Sequence, residues 1–334
     1  MKCPTLADLP PAPAGKTGWP WTEESAPQTG ARLPRISIVT PSYMQGEYIE
    51  ETIRSVLLQG YPDIEYIIVD GGSRDNSSQV IEKYAQWLAW WCSGKDRGQA
   101  DAINKGLSRV TGGIVAYINS DDWYHPGAFS AVAQRALEQP EEDWWAGGVE
   151  VCDGENRTLK TSAFNSLPRF LGRAETLYQP GVFWSARMLR AAPAFDTSLH
   201  YAFDHDYWVR ALNLGYHPVA LGTTLANFRV HGRSKTSTRQ RYFMRELWEV
   251  ARRYRPHLSP SDWKSAAASL RDYEADYLLT SIYSLLAAGE RRAAASYLLS
   301  SLSLYPHITP ARLIAGAYYR TFVAGTPPKW FRKS

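Results

Sequence analysis

Gly113-Ile114-Val115-Ala116-Tyr117-Ile118-Asn119-Ser120-Asp121-Asp122 joins an uninterrupted apolar run to a polar corner ending in two adjacent carboxylates. A short apolar run without alternation is the pattern of a strand buried on both faces of a parallel sheet. The carboxylates then stand at the carboxyl end of that strand, where open α/β sheets take their ligands. Two like charges this close repel unless a cation or a charged ligand joins them. Hard oxygen donors at such a corner suit Mg²⁺ or Mn²⁺, ions that commonly share their coordination with substrate phosphates. Asp-Asp pairs also sit in solvated turns, so the meaning of this one depends on the rest of the chain.

Outward from that strand, β-type and helical patterns alternate. Arg35–Pro41, Ile64–Asp70 and Trp90–Ser93 read as strands, and Tyr48–Gln59, Ser77–Trp87 and Gln99–Leu107 as helices. Pro126–Gln139 reads as a further helix, with proline in its first turn. Strict alternation predicts a mostly parallel, doubly wound sheet flanked by helices. Trp144–Val151 and Arg157–Thr161 flank Asp153-Gly154-Glu155-Asn156, a hairpin that gives the sheet a mixed edge. Tyr201–Asn213 is an amphipathic helix, followed by strands around Val219 and Asn227. Residues 1–34 are rich in Pro, Gly and Thr and read as an extended arm that Trp19 and Trp21 could pin to the body. Past Thr236 the pattern is helical only, with Gly289-Glu290 between two helices and Pro306 ending the second. The expected division is an arm (1–34), a catalytic domain (35–235) and a C-terminal helical extension (236–334).

Composition bounds the function. At 334 residues, 44% hydrophobic and 13% aromatic, the chain is far from the disordered class. Cys3, Cys92 and Cys152 form no CxxC or Cys/His spacing and read as reduced thiols of a cytoplasmic protein. Prolines 4, 10, 11 and 13 interrupt any secretory apolar region, and no apolar run reaches the roughly 18 to 20 residues of a membrane span. After Phe228 there are 18 Lys and Arg against 7 Asp and Glu, so a basic tail follows a net acidic catalytic half. Tyr318, Tyr319, Phe322, Trp330 and Phe331 interleave with Arg320, Lys329, Arg332 and Lys333. That mixture suits peripheral association with the inner face of the plasma membrane, and equally a strip of ring packing on the catalytic domain. No nucleic-acid partner is expected.

Several segments carry chemistry. Asp70-Gly71-Gly72 closes the second strand, where a carboxylate can accept from a base N–H or a ribose hydroxyl and glycine lets backbone approach a ligand. Asp75-Asn76 reads as a helix cap. Lys95-Asp96-Arg97-Gly98-Gln99 leads into a helix N-terminus, a natural place for anion or nucleotide contacts, whereas Asn104 and Gly106 read as packing and termination. In Phe203-Asp204-His205-Asp206 two carboxylates open a helix, and His231 follows a short strand. Neither G-x-G-x-x-G nor a Walker sequence follows any expected strand, which argues against dinucleotide dehydrogenases and P-loop enzymes.

Taken in order, PSYMQGEYIEETIRSVLLQGYPDIEYIIVDGGSRDNS, DRGQADAINKG, GGIVAYINSDDWYHPGA, FDHDYWVRALNLGY and RVHGRSKT resemble glycosyltransferase family 2, of the inverting GT-A type, nearest to bacterial enzymes of O-antigen and exopolysaccharide assembly. The resemblance covers about Arg35 to Lys235. It implies a Rossmann-like GT-A sheet, a nucleotide-diphosphate sugar donor, expected to be UDP-linked, and a saccharide or polyprenyl-linked saccharide acceptor. It places Pro41, Tyr43 and Asp70 in the nucleobase pocket, Asp96 and Gln99 against the nucleoside, and Asn119-Ser120-Asp121 where the family has Asp-x-Asp. Asp121, Asp122 and His231 become the expected ligands of Mn²⁺ or Mg²⁺, and Asp204 the catalytic base with Asp206 in support. Two departures stand out: Asn119 replaces the first aspartate of the metal motif, and Phe203 replaces an acidic residue before the base. Residues 179–183 are expected to shape the acceptor site. The alternatives are a sugar-phosphate nucleotidylyltransferase, for which the first loop lacks the Gly-rich basic sequence, and an inactive nucleotide-sugar-binding protein.

Overall fold

The structure is a computed structural model that describes residues 3–28, 33–162, 164, 166–172, 177–192, 194–232, 240–287 and 289–304. The aromatic and basic cluster at 318–333 and the helix stop at Pro306 lie outside the described residues.

The chain divides into two compact units, one of residues 1–170 and 174–250, the other of residues 171–173 and 251–334. The first holds a nine-stranded sheet. Its strands are β1 (Ile36–Ser42), β2 (Ile64–Asp70), β3 (Trp90–Ser93), β4 (Ile114–Tyr117), β5 (Trp123–Tyr124), β6 (Trp144–Asp153), β7 (Asn156–Lys160), β8 (Val182–Ser185) and β9 (Val219–Val230). They lie in the order β3-β2-β1-β4-β8-β6-β9-β5, with β7 paired to β6 as the expected hairpin. β3, β2, β1 and β4 are mutually parallel, β8 runs against β4 and β6, and β9 runs parallel to β6.

The first half follows directly from its sequence. All seven residues of β1 are buried, as expected of a central strand covered on both faces. The sheet is flanked by α1 (Ile49–Leu57), α2 (Ser77–Lys83) and α3 (Gln99–Leu107). α3 lies so near β1 that a Cβ on Gly106 would come within 2.4 Å of Val39 Cγ1, which explains the glycine as a packing residue. Asn104 also serves packing, since its amide exchanges two hydrogen bonds of 2.8 Å with the backbone of Phe195.

Three sequence expectations shift. α4 (Ala128–Glu138) begins after Pro126, because Gly127 takes a left-handed φ of 78° and turns the chain first. Asp75 rather than Asn76 caps α2, accepting from Ser77 N and from Ser77 Oγ. Of residues 179–183, Val182 and Phe183 are fully buried in β8 and belong to the sheet core, whereas Gln179–Gly181 forms a 3-10 turn ahead of it.

The arm is tied down by a buried cation. Arg54 on α1, 1% exposed, donates to the carbonyls of Pro10, Pro20 and Trp21. Trp19 Nε1 donates to Tyr124 O at 2.8 Å, and the Trp21 ring is buried.

The helices α7 (Phe203–Asn213) and α8 (Gln240–Tyr254) complete the first unit, with α5 (Leu167–Gly172) and α6 (Ala186–Ala191) preceding them; the first unit ends at residue 250, inside α8. The second unit carries α9 (Pro260–Ala287) and α10 (Arg291–Leu304). Among the described residues no helix is long and apolar enough to cross a membrane.

Candidate active site

The carboxyl ends of β1, β2 and β4 and the loops that follow them bring most of the expected residues together. Pro41 is buried in β1, and Tyr43 just beyond it is 62% exposed, an aromatic face available for stacking. Met44 next to it holds a left-handed φ of 56°, a strained conformation for a residue with a Cβ and one that concentrates at functional loops. Its N–H donates to Ser73 Oγ at 2.8 Å. Gly46 passes so close to Asn76 that a Cβ would meet its Oδ1 at 1.9 Å.

Asp70 stands at the end of β2 as expected, but its carboxylate is fully buried and turned on its own turn. It accepts from Gly72 N, Ser73 N, Ser73 Oγ and Ser93 Oγ. Those bonds fix the turn of residues 71–73 at the ends of β2 and β3. The half-buried carboxylate beside that turn is Asp96, which accepts from Gly98 N at 2.9 Å and lies so close to Gly71 that a Cβ there would meet Asp96 Oδ2 at 2.8 Å.

Asn119 is the hub of an amide chain. Its Oδ1 accepts from Gln99 Nε2 at 2.6 Å, and its Nδ2 donates to Asp122 Oδ2 at 3.1 Å and Gln179 Oε1 at 3.4 Å. Gln179 Nε2 in turn donates to Tyr117 O at 2.7 Å. The amide does what a carboxylate could not do here: it donates to Asp122 while accepting from Gln99.

The two adjacent carboxylates part company. Asp121 is partly exposed, and its Oδ2 lies 3.0 Å from His231 Nε2 and 3.3 Å from Gln45 Nε2. Asp122, expected as a metal ligand, is 1% exposed and faces inward, accepting from Arg229 N and Asn119 Nδ2. Burial, and then the charge of Asp121, push its carboxyl well above the usual range. Its carbonyl accepts from Thr52 Oγ1 at 2.6 Å. Arg229 binds the same corner from outside, donating to Asp121 O and to Glu51 while stacking over Trp123 and Tyr48.

Among the described residues no three His, Cys, Asp or Glu side chains gather closely enough to hold an ion by themselves. Asp121 and His231 offer one carboxylate oxygen and one imidazole nitrogen at the same point. That fits a divalent ion that completes its shell with phosphate oxygens and water, and Mn²⁺ accepts the imidazole more readily than Mg²⁺.

Asp204 is the second residue of α7 and is half-buried. It lies within electrostatic reach of Tyr117, whose hydroxyl is raised by burial first and then by Asp204 and Asp122. Asp206 is 1% exposed and paired with Arg210 at 3.2 Å, a structural use of that carboxylate. Gln179 was expected near the acceptor, and the structure joins it to Asn119 and Tyr117 instead; Arg229, Glu51 and Thr52 were not among the expected site residues. Each joins the site across more than 50 residues of chain, so no local pattern could have marked them.

The sheet order and the polar corner at its carboxyl edge are those of a GT-A-like fold. Residues 37–197 match the model of glycosyl transferase family 2, and the chain carries a domain of that family. An uncharacterized glycosyltransferase of Mycobacterium tuberculosis strain H37Rv is 26% identical over 226 residues, 66% of this chain and 86% of the relative. A Bacillus subtilis protein that carries the name teichuronic acid biosynthesis glycosyltransferase TuaG is 39% identical over 92 residues, 27% of this chain and 36% of its own length. In fold, the chain is similar to Staphylococcus aureus TarS 1-349 in complex with UDP-GlcNAc, with a TM-score of 0.58 at 17% identity, over 84% of this chain and 83% of that one.

Proposed function

We propose that this glycosyltransferase is inverting, and that it moves a sugar from a UDP-linked donor to a hydroxyl of a saccharide or lipid-linked saccharide during assembly of a cell-surface polysaccharide. The observation that carries the reading is the pairing of Asp121 with His231 at the sheet's carboxyl edge, with Asp204 beyond Tyr117. The TarS likeness supports a UDP-sugar donor, and the TuaG likeness supports a polysaccharide product.

Tyr43 would stack on the base, with Asp96 accepting from it and the Asp70 turn forming the wall behind. Gln99 and Asn119 line the nucleoside side. Asp121 and His231 would hold a divalent ion, which supplies positive charge against the departing diphosphate. Asp204 takes the proton of the acceptor hydroxyl as its oxygen bonds to the anomeric carbon. The bond from that carbon to the diphosphate breaks, the nucleotide diphosphate leaves, and attack from the opposite face inverts the configuration. We place the reaction in the cytoplasm, at the inner membrane face, on the strength of the basic balance after Phe228.

The test is a panel of nucleotide sugars with Mn²⁺, scored for the phosphorus product. Release of UDP from a UDP-sugar is the expected result. Formation of UTP and sugar 1-phosphate once pyrophosphate is added to the UDP-sugar would mean nucleotidyl transfer, and binding of donors without turnover would mean a sensor.

A further inference from the structure

Glu246 on α8 makes four hydrogen bonds to the loop ahead of α7. Its carboxylate accepts from His200 N at 2.9 and 3.0 Å, from Tyr201 N at 2.7 Å and from Ala202 N at 2.8 Å. The leading N–H groups of a helix have no partner within the helix. Usually a Ser, Thr, Asn or Asp at the cap supplies one. Here the cap residue is Ala202, with no side-chain acceptor, and Glu246, 44 to 46 residues further along the chain, accepts from the N–H groups of that cap residue and of the two residues ahead of it. One helical turn before Glu246, Tyr242 stacks on Tyr201 with ring centres 6.1 Å apart and planes 17° from parallel. Two neighbouring side chains of α8 therefore grip three residues that immediately precede Phe203 and Asp204.

We propose that Glu246 is a positioning residue for glycosyl transfer: it locks the first turn of α7 so that the Asp204 carboxylate faces the acceptor hydroxyl. The inference rests on Asp204 being the base. A displacement of about 1 Å in a reacting group can cost on the order of 10²-fold in rate, so a cap two residues before the base acts on chemistry as well as on stability.

The experiment uses the full chain with Mn²⁺ and UDP-GlcNAc as probe, water serving as acceptor, so that UDP and free sugar are the products. For Glu246→Ala, kcat should fall about 10- to 100-fold, while KM and the affinity for UDP stay within about twofold. Glu246→Gln should recover part of the loss, because its single amide oxygen can still accept. In an Asp204→Asn background, Glu246→Ala should cost almost nothing more, since both act through one group. The proposal is overturned if kcat of Glu246→Ala stays within twofold of the unaltered chain, if kcat and UDP affinity fall together, or if the two losses add in full. Should Glu246→Ala not fold, Glu246→Gln is judged by the same criteria. A rate unchanged by Asp204→Asn sinks the base assignment itself, whereas an Asp204→Asn collapse beside an indifferent Glu246→Ala sinks only this inference.

Discussion

The parallel half of the sheet and the half that follows it in the chain are built by opposite means. From Ile36 to Asn119, several carboxylates are held by turns adjacent in sequence, Asp70 by Gly72 and Ser73, Asp96 by Gly98, Asp75 by Ser77, and Ser93 and Gln99 reach Asp70 and Asn119 across only 23 and 20 residues. From Tyr201 to Val250, the decisive bonds span long stretches of chain: Arg229 to Asp122 and Glu51, His231 to Asp121, Glu246 to the cap of α7. The difference teaches that the loops after the parallel strands can be written locally, while the corner around Asp121 and Asp122 and the start of α7 depend on the sheet being complete.

Substitutions can break or sharpen that contrast. The largest effect is expected from Asp204→Asn, which should lower UDP release from UDP-GlcNAc by about 10² to 10⁴ while calorimetric UDP affinity is kept. Comparable damage to UDP binding would join the two halves into one. Next, Arg54→Leu should strip three carbonyls of their donor and lower stability in urea by about 3 kcal/mol. Its Mn²⁺-dependent UDP affinity, measured while folded, should persist. Third, UDP at about 100 times its Kd should stabilise the chain by about 2.7 kcal/mol in Mn²⁺, and His231→Ala should remove most of that gain. Equal stabilisation in EDTA would show that Asp121 and His231 hold no ion. The smallest effect belongs to the local half. Hydrogen bonding from Arg97, and then from Lys105, holds the Asp101 carboxyl down at about 2. A depressed carboxyl contributes stability above its unfolded pKa of about 3.9 and loses it as pH falls through 2. Arg97 is largely exposed, so the contribution is under about 1 kcal/mol. The difference in Tm between Asp101→Asn and the unaltered chain should be constant from pH 5 upward and vanish toward pH 2.

Legibility followed the same divide. The bounds of β2, β3 and α3 are those the sequence pattern implies, because apolar runs and turn residues there act on their own neighbours. β5 and β8 escaped notice: at two and four residues they have no period to read, and only partner strands make them strands. Asp121 and Asp122 are identical in type and adjacent, yet one faces the pocket and the other the interior, a choice made by Arg229 from 107 residues away. Glu246 had no signal at all, since a glutamate on an amphipathic helix ordinarily belongs to a solvated face.

The distant partners of Asp122 have a consequence for synthesis on the ribosome. Domains form from the N-terminal side as the chain emerges, and β1 to β4 with the Arg54 strap can assemble once roughly the first third of the chain is out. Asp122 would then be exposed beside Asp121, since the backbone that shelters it comes with Arg229. A nascent chain that stalls before β9 would thus display a bare acidic edge, an open flank of sheet at β6, and an α7 not yet held by Glu246. Such an intermediate is the form most exposed to wrong pairing, so slowing translation across residues 144–230 should prolong the interval in which chaperones are needed, while slowing it before residue 114 should not.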